Sequence, residues 1–228
     1  AEKMIRARHD KNFDINKIPL DDKKTYDMLA ACKTLGIFQL EGGGMRDLIK
    51  KLQPSQFSDL SALVALYRPG PMESGMMDMF VRRKSGQEQI KYETPLLEEP
   101  LKDTYGCMLY QEQIMQISKL LGGFTPGEAD TLRKAMGKKK ADLLAELEVK
   151  FLEGCAKKGT LTNDQAKDLW EKFKKFAEYA FNKSHAACYA VVAYQTAYLK
   201  KYYTPEFMAA MLNSYLGNLD RVPIYVDE

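Results

Sequence analysis

The pattern of apolar and polar positions is helical along most of the chain. Leu143, Leu144, Leu147, Phe151 and Cys155 recur at three- and four-residue intervals, the spacing of one helix face, and predict a helix over 141–157. Leu169, Trp170, Phe173, Phe176 and Ala177 repeat the pattern, with Lys172, Lys174 and Lys175 on the opposite face. A longer, mostly apolar stretch predicts a central helix over 185–203. Phe57, Leu60, Leu63, Val64 and Tyr67 place another at 55–67, which Arg68-Pro-Gly-Pro71 must end. Shorter helices are expected over 1–9, over 21–31 behind Asp21 and Asp22, and over 45–52 after a flexible break at Gly42-Gly-Gly44.

Punctuation fixes several ends. Thr125-Pro-Gly-Glu128 and Thr162-Asn-Asp-Gln165 have the form of capping boxes, the first with proline at the first helical position. The helix opened at Thr125 stops at Gly137, and the one before it, over 110–121, stops at Gly122-Gly123. Thr204-Pro205 opens a last helix reaching about Leu216. Strand signals are confined to 37–40 and 107–110. The expected fold is mainly α, a multi-helical single domain with at most one or two very short strands.

Composition narrows the class. With 228 residues the chain has room for one large domain or two small ones, and 45% apolar with 29% charged residues is globular usage. The longest apolar run, about 186–193, is far short of the roughly 20 residues that a membrane span needs. No secretory signal pattern opens the chain, and a start at Ala1 suggests a segment of a longer protein. Cys32, Cys107, Cys155 and Cys188 are scattered with no C-x-x-C pair, which argues against zinc and for free thiols in a cytoplasmic protein. The net charge of +3 says little by itself, but acids gather at 93–103 and 146–153 while bases gather at 133–140 and 172–183.

Two stretches carry candidate chemistry. Arg133-Lys-Ala-Met-Gly-Lys-Lys-Lys140 holds five cations, Arg133, Lys134, Lys138, Lys139 and Lys140, and no acid. Such charges repel one another unless an anion is present, and an arginine fork suits phosphate. A triple lysine alone reads as a solvated basic face; Arg133 and Lys134 one turn earlier favour a ligand. Tyr179 to His185 packs a phenol, an amide, an ammonium, a hydroxyl and an imidazole into seven residues. Tyr179 can stack on a base or sugar, while Asn182, Lys183, Ser184 and His185 can meet phosphate oxygens. Ser184 is the expected N-cap of the following helix, whose free N–H groups would form a phosphate cradle. The plainer alternative is a capped helix junction over a buried tyrosine. Arg68, on a stiff turn, and Tyr110, Gln111 and Gln113, at a helix start, are expected to support the site.

In order along the chain stand Phe38-Gln-Leu-Glu41, Ala65-Leu-Tyr-Arg-Pro-Gly-Pro71, Tyr105-Gly-Cys-Met-Leu-Tyr-Gln-Glu-Gln113, Leu132-Arg-Lys-Ala-Met-Gly-Lys-Lys-Lys140, Phe181-Asn-Lys-Ser-His185, Tyr194-Gln-Thr196 and Pro205-Glu-Phe-Met-Ala-Ala210. This series closely resembles the fingers region of the alpha subunit of bacterial DNA polymerase III, the C-family replicative polymerase, from about Ile18 to about Asp227. The resemblance implies a connecting segment from the palm over 1–53 and a helical fingers domain over 54–228. It implies a template-directed nucleotidyltransferase whose Mg2+ ions are held by palm aspartates upstream, so Asp14, Asp21 and Asp22 are not assigned to metal and this chain alone is expected to be inactive. Implied partners are deoxynucleoside triphosphates, primer-template DNA, the palm and thumb, and other replicase subunits. The nucleotide-contacting tyrosine and histidine of the family fall at Tyr179 and His185, and His185 could donate a proton to the leaving pyrophosphate. Glu178 and Ala180 stand where many members have glycine, and Glu178 is expected to point away from phosphate. A competing reading is a non-enzymatic DNA-binding module, since Leu121 to Ala129 is similar to a helix-hairpin-helix, whose backbone amides grip phosphates.

Overall fold

Caps decide where helices begin, and apolar spacing decides which face they bury. The computed structural model describes residues 1–177, 179–217, 220 and 222–226, and it is mainly α as expected. In chain order the helices are α1 (Glu2–Arg8), α2 (Lys23–Ala30), α3 (Gly43–Leu52), α4 (Phe57–Leu66), α5 (Pro69–Glu73), α6 (Met76–Lys84) and α7 (Glu98–Leu101). There follow α8 (Gln111–Gly122), α9 (Pro126–Gly137), α10 (Ala141–Lys158), α11 (Asn163–Ala177), α12 (Lys183–Tyr202), α13 (Thr204–Ser214) and α14 (Val222–Val226). Among the described residues there is no strand ladder: 37–40 is a turn, and at 107–110 one isolated bridge pairs Tyr110 with Phe181.

Two local expectations are corrected. Arg68-Pro-Gly-Pro71 ends α4 but also opens α5, because Pro69 falls in the first turn, where a missing N–H leaves no helical bond unmade. Gly43 and Gly44 are not a break; they form the first turn of α3 behind Gly42, whose carbonyl accepts from the Arg46 N–H at 2.9 Å.

The chain divides into two compact units, Ala1–Val64 with Ala187–Glu228, and Ala65–Ala186. The first buries Ile5, Leu29, Ile37, Leu40, Ile49 and Tyr194. Two of its aspartates serve as caps. Asp22 accepts from the Thr25 N–H and from the Tyr202 hydroxyl, both at 2.8 Å, and Asp14 caps a short 3-10 turn, Ile15–Lys17.

The second unit carries every candidate site residue. Its core gathers Phe151, Trp170, Phe173 and Phe176 from α10 and α11 against Leu121 and Leu132 from α8 and α9. Both capping boxes form: the Thr125 N–H donates to Glu128 at 2.9 Å and the Thr162 N–H to Gln165 at 3.0 Å. Helices α8 and α10 meet backbone to backbone, since a Cβ on Gly154 would lie 1.8 Å from the Gly122 carbonyl oxygen. Only glycine permits that approach.

Candidate functional site

The segment joining α11 to α12 is held from several directions. Arg68 Nη2 donates to the Tyr179 carbonyl at 2.9 Å while Nε donates to the Ala65 carbonyl at 2.9 Å. Its guanidinium carbon lies 4.2 Å from the centre of the Phe181 ring, a cation–π contact. Burial pulls the Arg68 pKa down. The Gln111 N–H donates to the Phe181 carbonyl at 2.8 Å. Gln113, almost wholly buried, accepts from the N–H groups of Leu109 and Tyr110 at 2.7 and 2.8 Å. Its amide donates to the Thr104 hydroxyl at 2.7 Å and to the Pro100 carbonyl at 3.1 Å. Tyr110 and Gln113 thus brace the wall from which Gln111 reaches the loop.

Sequence reasoning missed Glu112 as a site residue. Its carboxylate accepts from the Asn182 side-chain amide and from the Lys183 N–H, both at 2.9 Å. In sequence it looks like one more acid in the first turn of α8, where any carboxylate suits the helix dipole. No signal in the sequence pairs it with a loop 70 residues away.

The start of α12 differs from expectation. Asn182 is the capping residue, not Ser184: the His185 N–H donates to Asn182 Oδ1 at 2.8 Å. With the Lys183 N–H bonded to Glu112, two amides of the expected phosphate cradle already have acceptors, and a carboxylate sits among them. The side chains of Lys183, Ser184 and His185 remain exposed. Lys183 Nζ lies 5.8 Å from the Tyr110 ring centre, and the His185 ring meets Phe181 edge-on at 5.3 Å.

The cationic stretch is less bare than its sequence. Asp130, one turn upstream, accepts from Arg133 Nε and Nη2 at 2.9 and 2.7 Å and pairs with Lys134 at 2.7 Å. Lys134 first and Arg133 next hold the Asp130 carboxyl below its ordinary range. Lys138, Lys139 and Lys140 are exposed and form no ion pair among the described residues. Lys139 adopts a left-handed backbone with φ of 50°.

Four of the candidate residues line three separate places. Arg133, Gln111 and Ala180 line one narrow cleft, so the cationic helix and the loop before α12 do meet. Lys139 lines a separate apolar groove with Trp170, Phe173 and Lys174. Tyr179 lines a larger cavity with Lys172 and Lys175, and its ring packs edge-on against Phe176 at 5.7 Å. Glu178, expected to point away from phosphate, lies outside the described residues.

Among the described residues no three histidine, cysteine or acidic side chains are grouped to hold a metal, so these residues do not fit a Mg2+ site and no step is assigned to one. In the turn from α8 to α9 the N–H groups of Gly123 and Phe124 donate to the Ser118 carbonyl and that of Thr125 to Glu128, so these three are already engaged. No described helix is long and apolar enough to cross a membrane.

The second unit thus combines a cationic helix end with an aromatic loop clamped by Arg68 and Glu112. The profile of the bacterial DNA polymerase III alpha subunit finger domain matches residues 1–159, and the chain belongs to that family. It is 49% identical to DNA polymerase III subunit alpha of Aquifex aeolicus over 213 residues, 93% of this chain and 18% of that protein. The same-named proteins of Campylobacter jejuni and of Escherichia coli strain K12 are each 49% identical over the whole chain. The chain spans about a fifth of the length of these relatives, 19% and 20% for the last two.

Proposed function

We propose that this chain works within a DNA-directed DNA polymerase of the bacterial cytoplasm as the part that receives the incoming deoxynucleoside triphosphate beside the template end of primer-template DNA. Arg133, Lys134 and the Lys138–Lys140 run meet the phosphates, assisted by the side chains of Asn182, Lys183, Ser184 and His185. Tyr179, whose ring lines a neighbouring cavity, is assigned stacking on a base. The palm of the complete subunit supplies the metal-binding carboxylates and Mg2+, and the thumb and other replicase subunits complete the assembly.

The observation that supports this reading is proximity: Arg133, Gln111 and Ala180 line one narrow cleft of about 10 Å³, so the cationic helix lies beside the loop before α12. That loop is held by Arg68 and Glu112, and a held loop can receive a phosphate without ordering at the moment of reaction. The test is incorporation kinetics of the full-length subunit carrying Arg133→Gln or a triple Lys138→Ala, Lys139→Ala, Lys140→Ala change. The expected result is a KM for nucleotide raised about tenfold or more, the scale of one or two charge-assisted hydrogen bonds. The melting temperature should stay put. A kcat/KM within twofold of the unaltered enzyme in both variants would reject the assignment.

A further inference from the structure

Helices α9, α10 and α11 leave a groove beside the turn that joins the first two. It has a volume of about 190 Å³, lies wholly within the second unit, and is lined by Leu132, Met136, Leu144, Trp170 and Phe173. That volume is below the roughly 300–1,000 Å³ of a pocket that encloses a whole small-molecule ligand. It is above the roughly 150 Å³ in which a dry apolar cavity holds one benzene ring. A single aromatic side chain fits such a space.

Two polar groups at the groove lack a counterpart. Trp170 is 1% exposed, and its indole Nε1–H has no acceptor among the described residues. A buried indole N–H ordinarily finds a partner, and here a visitor can bring the acceptor. Lys174, on the rim, is already satisfied by Glu171 at 2.7 Å and by Glu148 at 3.1 Å. Lys139, also on the rim, is exposed and forms no ion pair among the described residues. A plain hydrocarbon would leave the indole N–H and the ammonium unmatched. A peptide segment brings a ring, a backbone carbonyl and a neighbouring carboxylate together.

We infer that this groove is a docking point for a protein segment that inserts one aromatic side chain, sets a carboxylate against Lys139 and offers a carbonyl to Trp170. Aromatic anchors seated in small, well-packed pockets carry most of the binding energy of many protein interfaces. The inference goes beyond the reading above and shares only Lys139 with it. Trp170, where docking is read, has no part in that reading.

The test uses the full-length subunit labelled with 5-fluorotryptophan, its Trp170 fluorine signal assigned by Trp170→Phe. Acetyl-Asp-Phe-Asp-amide is expected to shift that signal in a saturable way. The same peptide with alanine in place of phenylalanine should bind about tenfold or more weakly, the scale of burying one phenyl ring. Lysine in place of both aspartates should weaken binding several-fold. No shift at Trp170, or equal binding by the alanine peptide, overturns the proposal. A shift with phenylacetate and none with the peptide assigns the groove to a small aromatic acid and overturns it too. As a second variant, Ala141→Leu adds bulk to the groove lining at the exposed first position of α10. It should abolish the peptide shift with the melting temperature unchanged, and a shift that persists would also reject the site. Nucleotide kinetics of the Arg133 and lysine variants read the other assignment separately, so the two can fail independently.

Discussion

Gly70 lies against Tyr179 with no room for a side chain of its own: a Cβ on Gly70 would stand 2.6 Å from the Cβ of Tyr179. The tyrosine Cβ is fixed to its backbone and cannot swing aside as the end of a flexible side chain can. Gly70→Ala should therefore push the loop before α12 off Arg68. A loss of about 1–3 kcal/mol is expected, the usual cost of overpacking a closed contact. Thermal melting checks the stability, and a nucleotide KM that rises in parallel would tie the loop position to ligand handling.

Glu112 gives a sharper test of loop position. Glu112→Ala leaves the Asn182 amide and the Lys183 N–H without their acceptor. We expect kcat/KM for nucleotide to fall about tenfold or more, from the 1–3 kcal/mol range of a charge-assisted bond. Glu112→Gln keeps an amide oxygen for one of the two donors and should fall between. Single-turnover incorporation reads this directly, and an alanine variant indistinguishable from the unaltered enzyme would refute it.

Acid should weaken the entry to α9. Lys150 chiefly, and the Thr125 N–H next, hold the Glu128 carboxyl at about 2, below its ordinary 4.5. A carboxyl depressed in the folded state contributes stability that is present in full above the ordinary value and disappears as pH falls through about 2. The melting temperature should therefore drop more steeply between those two pH values for the native chain than for Glu128→Gln. Parallel curves would count against the capping role.

The thiols should separate cleanly. Cys32, Cys107 and Cys155 are buried and Cys188 is exposed on α12. Burial pushes the Cys107 thiol up to about 11, which removes its thiolate at neutral pH. Native titration with a disulfide reagent should report one fast thiol and three that react after unfolding. Two fast thiols would contradict the packing described.

The helices from α8 to α12 were legible because their signals are local. Thr125 with Glu128 and Thr162 with Gln165 announce starts by chemistry within four residues, and the stripe from Leu169 to Phe176 declares its buried face. The start of α12 was misplaced by two residues for the opposite reason. Asn182 and Ser184 are both good caps, and what distinguishes them is Glu112, which the fold brings in from α8. Helix α6 gave no start signal, since Gly75 precedes it without a side-chain cap. The cationic run looked free of acid because Asp130 lies outside the motif yet on the same helix face, three and four residues away. The meeting of Arg133 with the Ala180 loop, and of Tyr179 with Met76 and Tyr92, depends on how distant segments pack, which no window of sequence contains.

The carboxylate of Asp130 bears on what kind of anion the proposed site would admit. Arg133 and Lys134 already have a resident counterion one turn away, anchored to the backbone and unable to diffuse off. Chloride or a lone carboxylate merely duplicates that neighbour. A chain of linked phosphates brings several charges at once and would reach the exposed lysines beyond Gly137 in the same event, so under the proposed function the helix end should favour anions of higher valence.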